Sequence, residues 1–596
     1  MKKIILKSFI IMSFVAFLSS CSDVLTAPTQ SSMDESFIFS TPVLAEQAVM
    51  AIHQSIGETN SYRGRYIPYY GYNTDIEWYN TSEKTTDDKP SLTGYNPSVS
   101  STNMNTADNV WAKMYEGIER ANLCIRGLRT YGDVKNNTQL AQLLGEALTL
   151  RAVIYNDLIK AWGDVPARFE PITTTTIYVA KSDRDVIYKQ LIADLAEAED
   201  LVAWPNGSAV TKSTERVNKA FVKGLRARIC LAAAGYSQRP DGVRQSTDPE
   251  LTVAKLYPIV KQECLDVINS NTCKLGTFEQ NFRNLCQDNV TAGFESLYEF
   301  PFSNQPERGR VVYTFGIRHT STDKYTQLAK GGETGPLPNL FYDYDKEDVR
   351  RDVTCIPYVW TNGVQVLNKI QSWDFGKYRF EWMKRVVTSP NDDGVNWQVM
   401  RYADIYLMAA EAINELEDPT AAAPYLKVIR NRAFPTNPTK VDAYMETVSA
   451  SKETFFNAIV DERALEFCGE MLRKADLIRW NLLSVKLNEA KTKLTAFANR
   501  NGSYSDLPDK LYFKTAADGE SIVIYGLEHG DTDAAGVALN YPDPGKGWFI
   551  SNGTNNLTVD KINSLFQTDP DTRQYWPIWQ VFLDSSNGTL KNDYGY

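Results

Sequence analysis

The chain has 596 residues, 43% of them hydrophobic and 12% aromatic, and a formal net charge of −10. This composition supports a large hydrophobic core and differs from that of an intrinsically disordered chain. The acidic balance argues against sequence-independent binding of nucleic acid, which needs a basic surface that displaces counterions. The 12 Trp and 32 Tyr suit a core, where most aromatic rings lie, and also suit platforms on which sugar rings stack.

The first residues have the pattern of a lipoprotein signal peptide. A positively charged start is followed by a mostly apolar run over residues 4–18, which is too short for an ordinary membrane span. The run ends in LSSC, which resembles a lipobox cleaved before Cys21. We therefore expect residues 1–20 to be removed and Cys21 to carry acyl chains that anchor the mature chain to a membrane. Ordinary secretion with cleavage nearby is the alternative.

A polar, aromatic-rich segment follows the first predicted helix. Residues 42–56 have helical periodicity, whereas residues 57–106 lack it and are rich in Tyr, Asn, Ser and Gly. An insertion of this length inside a compact protein is usually functional or disordered. Its aromatic content favours a functional insertion.

Helical periodicity returns after this insertion. The predicted helices cover residues 107–129, 139–161, 183–202, 217–234 and 251–270. Together with a later group at residues 401–480, they predict about four helix-turn-helix units. Arg151 lies beside an apolar helix face, so we expect it to pair with a carboxylate across a helix interface as a structural contact.

The pattern changes over residues 277–399, which predict an irregular insertion. A short strand is predicted at residues 295–300, and the Gly- and Pro-rich residues 331–340 predict a loop. Residues 497–596 also have weak helical signals. They are rich in Gly, Asn and Asp and predict an irregular C-terminal part.

The strongest helical pattern lies at residues 401–480. Its first helix, beginning near Tyr402, is apolar almost all round, which is typical of a helix buried between two neighbours. A second helix carries apolar residues from Ala422 to Ala433, and a third runs from Phe455 towards Cys468. We expect Gly469 to form the C-cap of that third helix, because glycine enters the left-handed cap conformation without steric cost.

Motifs in several parts of the chain resemble the SusD/RagB family. The clearest is the family's ERxxELxxEGxRxxDLxRW signature, matched at residues 462–480 with Phe467 and Met471 as departures. Residues 146–166 resemble its EAxxLRAxxY…WGDVP block, and residues 576–596 resemble its YPIP…QNPGY ending with several departures. Further similar positions are Pro338, Leu340, Asp348, Arg350, Lys377 and Tyr378.

The resemblance implies a mainly α fold, in which TPR-like helix-turn-helix repeats form a scaffold with long irregular loop and short-strand insertions. It also implies an outer-membrane lipoprotein that captures nutrients for a SusC-like TonB-dependent transporter. On this basis we divide the chain into a signal peptide, residues 1–20, and a single SusD-like domain, residues 21–596. The parts of that domain are 21–276 with the aromatic insertion 57–106, the irregular insertion 277–399, the repeats 401–480 and the irregular part 497–596.

Catalytic motifs are missing from the sequence. It contains no G-x-S-x-G, H-E-x-x-H, G-x-G-x-x-G or Walker A pattern. The adjacent acids at 87–88, 347–348 and 392–393 lie in polar stretches and are explained by solvated loops, and no EF-hand loop is present. The seven cysteines other than Cys21 match no zinc pattern, and Cys124, Cys230 and Cys468, which lie within helical patterns, behave most simply as small buried hydrophobes. We expect no catalytic residue and no cofactor or metal, a structural Ca²⁺ being the remaining option.

Ligand-binding candidates come from two loop regions. A sugar ring presents apolar C–H faces to aromatic rings and hydroxyl groups to polar side chains, and such sites usually lie on loops held by a rigid scaffold. The candidates in the first insertion are Asp75, Trp78, Tyr79 and Tyr95. The resemblance to the SusD/RagB family adds Tyr313 and Phe315 after the 295–300 strand, in a second region where family members carry stacking residues. Core or loop packing is the alternative for each of them.

These observations favour a lipid-anchored, cell-surface protein of the outer membrane that binds oligosaccharide without catalysis and delivers it to a SusC-like transporter. We expect no nucleic-acid partner. An enzyme such as a glycoside hydrolase is one alternative. It is disfavoured, because it would need two carboxylates placed on either side of the scissile bond and the sequence shows no catalytic constellation. A relative that binds a non-glycan nutrient such as peptide, or a scaffold subunit without a ligand of its own, is the other alternative.

Overall fold

Helices are the main secondary structure of the computed structural model, which describes residues 34–80, 87–302, 309–389 and 393–596. The helices are Glu35–Ser40 (α1), Pro42–Gly57 (α2), Asp88–Thr93 (α3), Val110–Tyr131 (α4), Thr138–Trp162 (α5), Arg184–Leu201 (α6), Lys219–Ala234 (α7), Val253–Asn269 (α8), Phe278–Cys286 (α9), Val311–Phe315 (α10), Leu340–Asp343 (α11), Arg351–Thr354 (α12), Tyr402–Leu416 (α13), Pro419–Ala433 (α14), Pro438–Val448 (α15), Lys452–Phe467 (α16), Arg473–Arg479 (α17), Leu483–Ala498 (α18), Asp533–Ala538 (α19), Val559–Asn563 (α20) and Gln580–Ser585 (α21). The expected signal peptide and Cys21 lie outside the described residues.

The long helices form an array in which each packs against the next. Helices α4 to α8 pack in chain order, α2 packs against α4, and α8 packs against α13, which in turn packs against α14 and α16. The irregular residues 277–399 therefore leave the array after α8, and the chain rejoins it at α13. The mainly α fold with helix-turn-helix repeats is confirmed, as is the burial of α13 between neighbouring helices.

Polar caps set the helix boundaries within a few residues of the predicted ones. The side chain of Asn109 accepts a hydrogen bond from the backbone N–H of Trp111, so α4 begins after Asn109 and not at residue 107 as predicted. Asn137 accepts from the first N–H groups of α5 in the same way. At the α2–α4 contact the backbones approach closely, because a Cβ at Gly117 would lie 2.5 Å from the Oγ of Ser55.

The structural pairing predicted for Arg151 is confirmed. Its Nη2 lies 2.6 Å from Oδ2 of Asp194 on α6, and both side chains are only 2% exposed. The guanidinium also donates to Asn122 on α4 and to the carbonyl of Phe169. Arg151 therefore joins three neighbouring segments of the array, and its buried charge is compensated.

Short strands occupy the irregular regions. They are Glu77–Tyr79 (β1), Ser237–Arg239 (β2), Gly242–Arg244 (β3), Ser296–Phe300 (β4), Thr334–Pro336 (β5), Cys355–Ile356 (β6), Tyr358–Thr361 (β7), Val364–Leu367 (β8), Asp374–Phe375 (β9), Trp397–Arg401 (β10), Lys510–Thr515 (β11), Ile522–Tyr525 (β12), Lys546–Gly547 (β13), Ile550–Ser551 (β14) and Thr554–Asn555 (β15). The predicted 295–300 strand is confirmed as β4, which pairs antiparallel with β10. Antiparallel pairing of β1 with β5 joins the first aromatic insertion to the central region.

The end of the chain returns to the N-terminal part of the array. The indole Nε1 of Trp162 donates to the carbonyl of Pro577 at 3.0 Å, and the rings of Trp162 and Trp576 meet edge to face. Arg184 donates to the hydroxyl of Tyr594 at 2.7 Å. We call these five residues the C-terminal junction, which brings together the WGDVP block and the two ends of the terminal motif.

None of the helices in the described part of the chain combines the length and the apolar character needed to cross a bilayer.

Candidate functional site

A buried ion-pair network occupies the signature at residues 462–480. Glu466 on α16 is fully buried and accepts hydrogen bonds from Arg350, Arg401 and Arg432, with Arg350 Nη1 at 2.9 Å. Burial opposes ionisation of Glu466, but the charges of Arg432, Arg401 and Arg350 outweigh it and hold its pKa well below the usual range. Glu466 is thus the negative centre of three surrounding arginines.

The other charged positions of the signature are also paired. The pairs are Arg463 with Asp404 and Asp476, Arg479 with Glu411 and Asp476, Glu462 with Arg350 and Arg430, and Glu470 with Lys377 and Arg401. Asp348, placed in a solvated loop by the sequence, is only 3% exposed and lies 2.6 Å from Nη2 of Arg350. That prediction was wrong, because Arg350 draws its neighbour into the network.

The network holds the first aromatic insertion against the helices. Arg473 on α17 forms a bidentate pair with Asp75, with atom separations of 2.8 and 2.6 Å. The backbone N–H of Gly469 donates to Oε2 of Glu77 at 2.6 Å. Gly469 directly follows the C-cap residue Cys468 and has φ of +83°, the left-handed conformation that its predicted cap role requires. Burial raises the pKa of Glu77 to about 8.

Most of the aromatic residues assigned to ligand binding lie in the interior. The exposed fraction is 0% for Trp78, 5% for Tyr79, 2% for Tyr95 and 0% for Phe315. Asp75, with a side chain 11% exposed, forms the pair with Arg473. Tyr313 is half-buried. The ligand-binding role assigned to these six residues stays a prediction.

Packing contacts surround the buried rings. Lys561 lies over the ring of Trp78, with its Nζ 4.4 Å from the centroid, and the Tyr95 hydroxyl donates to the carbonyl of Asn73 at 2.8 Å. The ring of Phe315 contacts Trp397, with centroids 5.2 Å apart. A ligand could reach these rings only after a rearrangement of their neighbours.

The two loop regions meet in space. In the β1–β5 pair, Trp78 lies opposite Gly335. One residue beyond β1, the N–H of Asn80 donates to the carbonyl of Glu333 at 2.9 Å, and the N–H of Glu333 donates to the carbonyl of Thr314 at 3.0 Å. Glu333 therefore links the first insertion to α10, the short helix that carries Tyr313.

The half-buried ring of Tyr313 lies among charged side chains. The guanidinium carbon of Arg310 is 4.3 Å from the ring centroid, and Nζ of Lys330 is 5.2 Å from it. Tyr69 lies nearby, and burial together with the charge of Glu333 raises the pKa of its hydroxyl. We define the Tyr313 surface as the following six residues: Arg65, Tyr69, Arg310, Tyr313, Lys330 and Glu333.

The described residues do not fully satisfy two polar groups of this surface, a carboxylate oxygen of Glu333 and the guanidinium of Arg65. One carboxylate oxygen of Glu333, Oε2, is buried and has no hydrogen-bond partner among the described residues. Burial lowers the pKa of Arg65, and the neighbouring charge of Arg310 acts in the same direction, while Tyr69 and the carboxylate of Asp108 oppose them. An incoming polar ligand could satisfy both groups, which makes the Tyr313 surface the candidate site.

The sequence indicated Tyr313 but none of its charged neighbours. Arg310 lies three residues before Tyr313, yet Arg65 belongs to the first insertion, and Lys330 and Glu333, three residues apart, belong to a later loop. The β1–β5 pairing and the backbone hydrogen bonds of Glu333 bring the first insertion beside α10 in the folded chain. Sequence proximity to Tyr313 could therefore have indicated Arg310 but not the other charged residues of the surface.

Asp393 positions the helix that carries Tyr313. Its carboxylate accepts from the backbone N–H groups of Val311 at 3.2 Å, Tyr313 at 3.1 Å and Val395 at 3.2 Å. The sequence placed this acid in a solvated loop, but it is only 1% exposed. That prediction was wrong, because the carboxylate is drawn in to satisfy the first N–H groups of α10. Burial raises the pKa of Asp393 to about 6, although the three N–H groups oppose the shift.

The titration of Asp393 predicts a pH dependence of stability. The folded-state pKa is raised above that of an unfolded aspartate, about 3.9, so its stabilising contribution is full below that pH and lost as the pH rises through 6. Between about pH 4 and about pH 7, the free energy of unfolding of the wild type should fall by about 2–3 kcal/mol more than that of Asp393→Asn. Denaturant titrations at several pH values measure this difference.

A control separates this titration from general acid effects. Asp200 is exposed at the end of α6, so Asp200→Asn should not change the pH dependence of stability. A difference between wild type and Asp393→Asn that stays constant from about pH 4 to about pH 7 would contradict the raised pKa.

Comparison with known proteins identifies the family. A model described as "SusD family" matches residues 343–596, and a second, described as "Starch-binding associating with outer membrane", matches residues 29–231. The two matches do not overlap, and together they span most of the chain. The chain belongs to the SusD family.

Known SusD-family relatives are distant in sequence but similar in length. One SusD-like protein of Formosa agariphila is 24% identical over 398 residues, 65% of this chain and 72% of the relative. Another from the same organism is 23% identical over 507 residues, 80% of this chain and 91% of the relative. The family membership inferred from the motifs is confirmed.

Solved structures confirm the fold over nearly the whole length. A SusD homolog from Bacteroides thetaiotaomicron superposes with a TM-score of 0.71 at 18% identity, covering 95% of this chain and 99% of the homolog. Surface glycan-binding protein A from the same organism, in complex with laminarihexaose, superposes with a TM-score of 0.58 at 17% identity, covering 92% and 99%. At these identities the similarity establishes the SusD fold.

Two further features of this SusD-family chain concern metals and thiols. The seven cysteines in the described part of the chain are buried and unpaired, which confirms the interpretation of Cys124, Cys230 and Cys468 as small buried hydrophobes. Across that same part, no three His, Cys, Asp or Glu side chains are grouped so as to hold a metal ion.

Proposed function

We propose that this SusD-family protein binds oligosaccharide at the Tyr313 surface and delivers it to a SusC-like TonB-dependent transporter. The observation that carries the proposal is the half-buried Tyr313 ring with the unpartnered oxygen of Glu333 and the cation Lys330 beside it. An aromatic ring offers an apolar face to sugar C–H groups, and a carboxylate oxygen accepts hydrogen bonds from sugar hydroxyls.

Two comparisons support a saccharide ligand. One matching family model is described as starch-binding, and a protein of similar fold was solved with laminarihexaose. The same model's description includes association with the outer membrane, in agreement with the lipobox-like sequence before Cys21. We therefore propose lipid anchoring at Cys21 and exposure at the cell surface.

We propose binding without catalysis. Two acids from the adjacent acidic pairs have structural partners, since Asp348 pairs with Arg350 and Asp393 accepts from backbone N–H groups. Glycoside hydrolysis uses a pair of carboxylates on either side of the glycosidic bond. On the Tyr313 surface as defined, Glu333 is the single carboxylate.

Replacement of Tyr313 tests the proposed site. Calorimetry or gel retardation against a panel of plant, algal, bacterial and host glycans should find one bound class. Tyr313→Ala should weaken that binding by about five- to thirtyfold, or about 1–2 kcal/mol, because the aromatic face is lost. Tyr313→Phe should retain most of the affinity.

A matched tyrosine provides the control. Tyr131 is 41% exposed at the end of α4, and Tyr131→Ala should leave glycan affinity unchanged. If the folded wild-type protein binds no glycan in the panel, a peptide ligand or a purely structural role gains support. If it binds glycan equally well without Tyr313, the ligand binds elsewhere.

A further inference from the structure

We infer that the Tyr313 surface selects anionic saccharides, meaning those that carry carboxylate or sulfate groups. The inference rests on the proposed function and specifies its substrate class. It is drawn from the charges around Tyr313.

Positive charge exceeds negative charge on this surface. Of its six residues, Arg65, Arg310 and Lys330 are cationic and Glu333 is anionic. The surrounding chain has the opposite balance, with 73 acidic and 63 basic residues. A local cationic cluster on an acidic protein attracts anions at that point, while the net charge disfavours non-specific binding of polyanions.

Two of the cations lack a carboxylate within ion-pair distance among the described residues, although the more distant charge of Asp108 acts on Arg65. Among the described residues, Arg65 makes one hydrogen bond, to the carbonyl of Gly64 at 3.0 Å, and neither Arg65 nor Lys330 forms an ion pair. The arginines of the 462–480 network differ, because each is paired with at least one carboxylate. The unpaired cations are therefore a distinct feature of the Tyr313 surface.

The electrostatics of Arg65 favour an added anion. Partial burial and the nearby charge of Arg310 lower the pKa of Arg65 more than Tyr69 and Asp108 raise it, so its charged form is incompletely stabilised in the structure. An anionic group in this position would compensate the charge, and guanidinium groups bind carboxylate or sulfate oxygens through paired N–H donors.

Lys330 and Tyr313 bring charge and sugar contact together. The Lys330 ammonium lies 5.2 Å from the centre of the Tyr313 ring, so a saccharide that contacts this ring also meets the cation. Glu333 opposes an anion on its own side of the surface and suits a sugar hydroxyl instead. This arrangement fits a sugar residue with both an acidic substituent and free hydroxyls.

Pairs of saccharides that share a backbone and differ in charge test the inference. Polygalacturonate is compared with its methyl ester, and κ-carrageenan oligosaccharides with their desulfated form, by calorimetry on the purified protein. We expect at least one charged member to bind about tenfold or more tightly than its neutral counterpart, and the preferred pair distinguishes carboxylate from sulfate. Its affinity should also fall as salt concentration rises.

Charge-neutral variants locate the effect. Lys330→Gln and Arg65→Gln should each weaken binding of the preferred anionic ligand by about three- to tenfold. Lys255→Gln is the matched control, because Lys255 is exposed on α8 and forms no ion pair within the described part of the chain. Unchanged anionic binding in both surface variants would overturn the inference.

The remaining outcomes separate the inference from the proposed function. Equal affinity for charged and neutral members of each pair, reduced by Tyr313→Ala, would overturn anionic selectivity and keep saccharide capture. If no charged, neutral or panel glycan binds the folded protein, both the proposed function and the inference are overturned.

Discussion

Replacement of Glu466 by glutamine is expected to lower the free energy of unfolding by about 3–5 kcal/mol. The carboxylate is fully buried and accepts from Arg350, Arg401 and Arg432, so the neutral amide leaves positive charge without its counterion. Removing one partner of a buried ion pair costs more than the pair contributed, because the remaining charge cannot return to water. Denaturant unfolding measures the loss.

A residue on the same helix serves as the control. Glu453 is exposed in the first turn of α16, so Glu453→Gln should change stability by less than about 0.5 kcal/mol. Similar small effects of the two substitutions would show that the arginines find other partners and that Glu466 is not the centre of the network.

The acid sensitivity of the same carboxylate follows from its lowered pKa. A depressed folded-state pKa means that the stabilisation by Glu466 is present above the pKa of an unfolded glutamate, about 4.3, and is lost as the pH falls below it. Glu466→Gln should therefore reduce the loss of stability between neutral and acid pH, in the direction opposite to Asp393→Asn.

Substitution of Trp78 by alanine is expected to destabilise the fold by about 3–5 kcal/mol, because a fully buried indole leaves a large cavity. The ring lies under the ammonium group of Lys561 and within the β1–β5 pair that joins the two loop regions. Any loss of saccharide binding in Trp78→Ala should therefore accompany a loss of stability.

Comparison with a conservative substitution distinguishes packing from ligand contact. Trp78→Phe keeps an aromatic ring in the cavity and should recover a large part of the stability. Lost saccharide binding in Trp78→Ala with an unchanged free energy of unfolding would instead assign Trp78 to the ligand, as the sequence prediction has it.

Local signals explain which parts of the fold were predictable. Helix periodicity and caps such as Asn109 and Asn137 act within a few residues, so the long helices were predicted with small boundary errors. The motif at residues 462–480 was recognised as a sequence. The sequence did not show that this motif forms an ion-pair network, because partners such as Asp75 and Arg350 lie more than a hundred residues away.

The candidate site shows the same limit. Trp78 and Tyr313 look alike in sequence, each an aromatic residue in a polar region, and only the β1–β5 pairing determines that one ring is buried. Asp348 and Asp393 were misassigned for a related reason. The arginine and the helix N-terminus that draw these carboxylates inward belong to the folded arrangement and not to a local pattern.

The C-terminal junction changes how the helical array should unfold. Repeat arrays are commonly one-dimensional, so that end repeats can open without the rest. Here the contacts of Trp162 with Pro577 and of Arg184 with Tyr594 tie the last residues to early helices. Opening either region breaks contacts of the other, so cooperativity extends across the chain, and the array cannot be completed before its final residues have been synthesised.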